Sequence, residues 1–236
     1  LNALSTTLRE ELSLAVDNIE KDEEVDVFIL TGAGRAFCAG MDLKEAFQEK
    51  ELKHIEIFER IRNLPIPTIC AVNGYAVTGG LELAMTFDII VASESAMFGD
   101  THARVPGVPG GGMTQILPRL IGVNRAKERS FTGNYLSAQE ALQLGLVNRV
   151  VPPDELQSVV EEIAQDILSC NQKVVRKIKY LINEGMKTTL EAGLALEVRE
   201  FLRRRESQRL EPEEAEQRRK QLLERGKAQS KKETSS

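Results

Sequence analysis

Two apolar runs in this 236-residue chain each open into a cluster of glycines, and that pattern limits the folds available to it. The first stretch is Phe28-Ile-Leu-Thr-Gly-Ala-Gly-Arg-Ala-Phe-Cys-Ala-Gly-Met-Asp-Leu43. The second is Ile69-Cys-Ala-Val-Asn-Gly-Tyr-Ala-Val-Thr-Gly-Gly-Leu-Glu-Leu83. Apolar and β-branched residues that run without alternation read as strands buried on both faces, the pattern of a parallel sheet. At the glycines no Cβ shields the backbone, so N–H groups can approach a ligand. Two such donors aimed at one point make an oxyanion hole.

Around these runs the spacing predicts alternating strands and helices. Thr7 with Glu10 has the spacing of a capping box, and Leu8, Leu12, Ala15 and Ile19 then share one helical face. Val25–Thr31, Ile69–Asn73 and Phe87–Ala92 read as strands, with a short helix starting after Gly79-Gly80. Strands interleaved with helices imply parallel pairing through right-handed crossovers. After the Gly- and Pro-rich stretch Arg104–Gly112, helices are expected over Thr114–Leu120, Arg125–Thr132 and Ser137–Leu144, the last capped by Ser137 with Glu140. Val147–Val151 is one more strand, stopped by Pro152-Pro153. Leu156–Leu168, Val174–Glu184, Leu190–Arg205 and Pro212–Arg225 read as helices, and Lys231–Ser236 as disordered.

Composition excludes several classes. Apolar residues make up 42% of the chain and charged ones 28%, the balance of a soluble globular protein. The longest apolar runs are too short to cross a bilayer, so no membrane partner is expected. Cys38, Cys70 and Cys170 are odd in number and far apart, which argues against a disulfide framework or a zinc knuckle and for a reducing compartment. The net charge of −5 hides a basic tail: Arg203–Ser236 holds eleven Lys or Arg against seven Asp or Glu. Mixed charge at helical spacing reads as a solvated face rather than a nucleic-acid patch.

Taken in order, these stretches resemble the enoyl-CoA hydratase/isomerase family, the crotonase superfamily. The matching residues are Leu1-Asn-Ala-Leu-Ser5, Gly34–Leu43, Ala71–Leu83, Asp88–Ala92, Ala96–Gly99, Pro109–Gly112, Thr132-Gly133 and Ser137–Val147. The resemblance implies an α/β fold, a crotonase-like spiral of ββα units over residues 1–190, with a C-terminal helical region over 191–236. It also implies a family strand ahead of Leu1 that is missing here. An acyl-CoA thioester is the implied partner, in a homotrimer or dimer of trimers. Coenzyme A enters only as part of the substrate, and no other cofactor or metal is expected. The implied setting is the cytoplasm, or the mitochondrial matrix after removal of a transit peptide.

In the family the oxyanion hole is two backbone amides, which fall on Met41 and Gly79 here. Ala39, Met41, Asp42 and Leu43 fall where members contact coenzyme A or its thioester, and Lys44 and Arg35 are candidates for its phosphates. The motif glutamate of the family matches Glu82. A second glutamate normally follows a Phe-Gly pair, but after Phe98-Gly99 this chain reads Asp-Thr-His, which puts His102 at that position. A histidine can act as acid or base near neutral pH, so His102 is a credible substitute, with Asp100 a second candidate. Three readings stay open: hydration of a 2-enoyl thioester as the leading one, double-bond isomerisation, and an acyl-CoA-binding module without chemistry. Thr78 as a nucleophile lacks a base and acid in any recognisable arrangement.

Overall fold

The computed structural model describes residues 1–46, 53–105, 107–207 and 212–233, without the side chains of residues 43, 46, 53–54, 206–207, 212–215 and 228–233. Packing divides the chain into two compact units, Leu1–Tyr180 and Leu181–Ser236.

The first unit opens with helix α1 (Thr6–Lys21). Its N-cap is Ser5, whose Oγ accepts the Leu8 N–H at 3.3 Å. The expected capping pair Thr7 and Glu10 is not used, because the helix already runs through Thr6 and the capping oxygen must stand just ahead of it. The strands and helices that follow are β1 (Phe28–Thr31), β2 (Ala36–Cys38), α2 (Leu43–Ala46), α3 (Lys53–Asn63), β3 (Thr68–Val72), β4 (Tyr75–Val77) and α4 (Gly79–Ala84). Then come β5 (Ile89–Ser93), β6 (Met97–Gly99), a single 3₁₀ turn (His102–Arg104), α5 (Met113–Ile121) and α6 (Val123–Thr132). The unit ends with β7 (Leu136–Ser137), α7 (Ala138–Gln143), β8 (Arg149–Val151), α8 (Leu156–Leu168) and most of α9 (Gln172–Gly185).

The strands form two sheets. One has the order β1-β3-β5-β8 and is parallel throughout; the other is β2-β4-β6-β7, parallel except for its β6–β7 pair. Three times the chain lays a strand in the first sheet, then one in the second, then helical structure, which is the spiral of ββα units that the resemblance implies. Strands β2, β4 and β6 escaped the sequence reading, since three residues are too few to display a period of two. The Ser137 capping box is present in full, its Oγ accepting the Glu140 N–H while the Glu140 carboxylate accepts the Ser137 N–H.

Strand β3 lies between β1 and β5 and is buried at all five residues. Ile69 and Ala71 pack toward Leu156, Val160 and Ile163 of α8, while Cys70 and Val72 belong to a core with Phe37, Leu81, Ile90 and Met113. Both faces are therefore covered, which is why the run reads as continuously apolar. Each of the larger α8 side chains contributes roughly 1.5–3 kcal/mol on burial. Lys179 of α9 donates to the Ile66 carbonyl at 2.8 Å and to Asp88 Oδ2 at 2.6 Å, and that carboxylate oxygen also accepts the Thr68 N–H. The start of β3 and the turn before β5 are thus tied to one ammonium.

The second unit holds the end of α9 with α10 (Leu190–Ser207) and α11 (Pro212–Glu233). Leu190, Leu194, Val198 and Phe201 of α10 are exposed. Lys231 to Glu233 continue α11, so the disorder expected from Lys231 does not begin there; residues 234–236 lie outside the described ones. No described helix is long and apolar enough to cross a membrane.

Candidate active site

The two glycine clusters meet. Gly40 has φ +87°, and a Cβ there would lie 2.8 Å from the Val77 carbonyl oxygen and 3.3 Å from the Gly79 nitrogen. A Cβ on Gly79 would lie 3.6 Å from the Met41 nitrogen. Only residues without a side chain let the end of β2 lie so close to the start of α4. Among the described residues neither the Met41 nor the Gly79 N–H has a protein acceptor. Leu4 fastens the first of these segments, donating to the Gly40 carbonyl at 2.8 Å and pairing with Met41 in a parallel bridge.

One turn along α4, Glu82 is only 3% exposed. Its Oε1 accepts the Gly111 N–H at 2.8 Å and the Met113 N–H at 3.1 Å. Two such bonds meet the requirement that a buried carboxylate be hydrogen-bonded. They also occupy Oε1, so a proton that this group takes or gives sits on Oε2. Oε2 lies 3.9 Å from His102 Nε2, beyond direct hydrogen-bond range and suited to a bridging water or a substrate group.

His102 is held from its other side. Its Nδ1 lies 2.7 Å from Asp100 Oδ1, which also accepts the His102 backbone N–H at 3.2 Å. Asp100 is acceptor-only as a carboxylate, so the bond puts a proton on Nδ1 and leaves Nε2 as the ring atom that faces Glu82. Burial pushes the Asp100 carboxyl up, but bonds from the His102 ring, the Ser130 side chain and the His102 amide outweigh it and hold the group below the usual aspartate range. The sequence-derived residues Glu82, His102 and Asp100 thus stand in one chain of polar contacts, and Met41 and Gly79 lie side by side.

The remaining candidates are less deeply placed. Ala39 is half-buried and donates to the Leu1 carbonyl at 3.0 Å. Asp42 is half-buried, with Oδ1 accepting the Lys44 N–H at 2.9 Å, while Lys44 and Arg35 are exposed. The Leu43 side chain lies outside the described residues. A hollow of about 330 Å³ between α1 and α3, lined by Thr6, Arg9, Ser13 and Asp17 among others, includes none of the groups above.

Sequence reasoning missed the groups that hold Glu82. The Gly111 and Met113 amides leave no side-chain signature, although Pro109–Gly112 is one of the stretches that carry the family resemblance. A Cβ on Gly111 would lie 2.6 Å from the Phe58 ring and 2.9 Å from the Glu82 carboxyl carbon, so glycine is needed for this approach. Arg62 of α3 adds a further support, with Nη2 donating to the Gly111 carbonyl at 3.1 Å. Burial pushes its guanidinium down from the usual arginine value, against the charges of Glu59 and Glu82.

Comparison with known proteins agrees with this architecture. The family model described as enoyl-CoA hydratase/isomerase matches residues 1–232. The short-chain-enoyl-CoA hydratase of Clostridium acetobutylicum is 42% identical over 212 residues, covering 85% of this chain and 80% of that protein. The crystal structure of an enoyl-CoA hydratase from Bacillus anthracis superposes with a TM-score of 0.81 at 42% identity, covering 84% of this chain and 80% of the other. A monofunctional enoyl CoA isomerase from M. smegmatis superposes with a TM-score of 0.70 at 32% identity, covering 81% and 87%. The chain belongs to the enoyl-CoA hydratase/isomerase family, the crotonase superfamily.

Proposed function

We propose that this enzyme adds water across the double bond of a 2-enoyl-CoA thioester, with Glu82 and His102 as the two groups that handle water and proton. The observation that carries this reading is the 3.9 Å gap between Glu82 Oε2 and His102 Nε2, each group fixed from behind by its own hydrogen bonds. In the proposed step the thioester oxygen accepts the Met41 and Gly79 N–H groups. Water held between Oε2 and Nε2 attacks C3, and one of the two groups takes its proton. Charge that moves onto the thioester oxygen is stabilised by the two amides, and a proton is then delivered to C2. Every atom of the added water ends in the 3-hydroxyacyl product. Coenzyme A enters only as the substrate's carrier, with Ala39, Met41, Asp42, Leu43 and Lys44 along its path.

Isomerisation is the alternative, because a single carboxylate such as Glu82 can move one proton between carbons. The test separates the two. Purified protein is given a panel of 2-enoyl and 3-enoyl thioesters at neutral pH, and products are identified by mass. Hydration predicts a gain of one water from the 2-enoyl esters and a loss of about 10²-fold or more on His102→Gln. Conversion of 3-enoyl to 2-enoyl esters that survives His102→Gln would favour the isomerase. Binding of the esters without any conversion would reduce the protein to an acyl-CoA-binding module.

A further inference from the structure

The residue between the two glycine-rich contacts is a strained threonine. Thr78 has φ 54° and ψ −113°, and apart from Asn2 it is the one described residue other than glycine with positive φ. That conformation belongs to the first central residue of a type II′ turn, a position dominated by glycine, and a β-branched residue adopts it only under constraint. Such strain persists where surrounding bonds over-determine it.

The bonds around Thr78 reach each part of the site. Its N–H donates to the Gly99 carbonyl at 2.7 Å, and its carbonyl accepts the Glu82 N–H at 3.0 Å. Its hydroxyl does not cap α4 but pairs with the Thr101 hydroxyl at 2.6 Å. Thr101 stands immediately before His102, and its carbonyl accepts the Arg104 N–H at 2.9 Å, starting the turn that carries the imidazole. The residue after Thr78 is Gly79. One hydroxyl pair therefore joins the backbone that presents the Gly79 N–H to the backbone that presents His102.

We infer that Thr78 and Thr101 are positioning residues, a hydroxyl clamp that fixes the Gly79 amide relative to His102. This rests on the site reading above. Glycine at position 78 would satisfy the backbone without strain, but it would leave the turn tied to the His102 segment only through its main chain. The hydroxyl gives the enzyme a strained turn held at one orientation, which is what two donors acting on one developing charge require.

The test uses the full-length protein with Thr101→Val, Thr101→Ser, Thr78→Gly and the Thr78→Gly/Thr101→Val double variant. Two readouts are taken: kcat and KM on the best substrate of the panel, and the near-ultraviolet absorbance of the enolate of bound acetoacetyl-CoA. The second reports charge held by the oxyanion amides without any turnover. Thr101→Val is expected to lower kcat about 10-fold or more with little change in KM, and to reduce the bound enolate. Thr101→Ser, which keeps the hydroxyl, should restore most of both. Because either single change opens the same clamp, the double variant should lose no more than the worse single one. A change in melting temperature alone, with kcat and enolate absorbance as in the parent, would overturn the clamp, as would losses that multiply in the double variant. If Glu82→Gln abolishes turnover while these variants do nothing, the clamp is wrong and the site reading stands. If the parent protein itself forms no bound enolate, both fall.

Discussion

Glu82→Gln is expected to lower kcat by about 10²–10⁴-fold while leaving the affinity for a saturated acyl-CoA within a few-fold of the parent. The geometry makes this substitution selective. The glutamine carbonyl can occupy the place of Oε1 and keep the Gly111 and Met113 N–H bonds at 2.8 and 3.1 Å. Its amide nitrogen then replaces Oε2, the atom that faces His102, and an amide neither takes nor gives a proton at neutral pH. Shape and packing persist while acid–base capacity is removed. Steady-state kinetics with calorimetric binding of a saturated acyl-CoA checks both halves. Turnover at the parental rate would remove Glu82 from the chemistry.

Gly80→Ala is expected to destabilise the fold by about 3 kcal/mol, the upper part of the range for an overpacked core, and to lower the melting temperature by roughly 6–12 °C. A Cβ at this position would sit 2.1 Å from the Cys38 carbonyl oxygen and 2.7 Å from its carbon. Both are main-chain atoms of β2, so no side chain can swing away to make room. Either α4 lifts from β2 or β2 distorts, and Met41 lies three residues beyond Cys38. The same change should therefore lower kcat/KM in the protein that remains folded. Gly34→Ala is the comparison: its Cβ meets nothing within 4 Å, leaving only the cost of φ +78°. Differential scanning calorimetry ranks the two, and a Gly80→Ala protein as stable as Gly34→Ala would refute the close approach.

What the sequence made legible follows from where the information resides. The central strand β3 could be read because both its faces are covered and every residue had to be apolar. Glu82 could be read because a lone charge in the apolar turn Leu81-Glu-Leu-Ala needs a reason to be there. His102 could be placed only through family resemblance, since a histidine in a polar loop has no periodic signature. The second sheet, the Gly111 and Met113 amides and the Ser5 cap were invisible for a different reason. They are main-chain or single-residue contacts made across distance, and nothing in local composition distinguishes them from an ordinary turn. The Thr78 conformation belongs to the same class: composition shows a threonine beside two glycines, and only the backbone reveals that it stands where a glycine would be at ease.

Buried thiols fit the same division between scaffold and site. Burial pushes the Cys38 thiol up to about 11 and holds the Cys70 thiol well above the usual cysteine range, so neither presents a thiolate at neutral pH. Cys38 matters instead through its carbonyl, against which Gly80 packs.

The most direct measurement is a crystal structure of the protein with a saturated acyl-CoA, which binds like the substrate but has no double bond to hydrate. The account predicts the thioester oxygen within about 3.2 Å of both the Met41 and the Gly79 nitrogen, with C2 and C3 of the acyl chain facing Glu82 Oε2 and His102 Nε2. A thioester oxygen bonded elsewhere, or held by only one of those amides with the acyl chain directed away from Glu82, would contradict it.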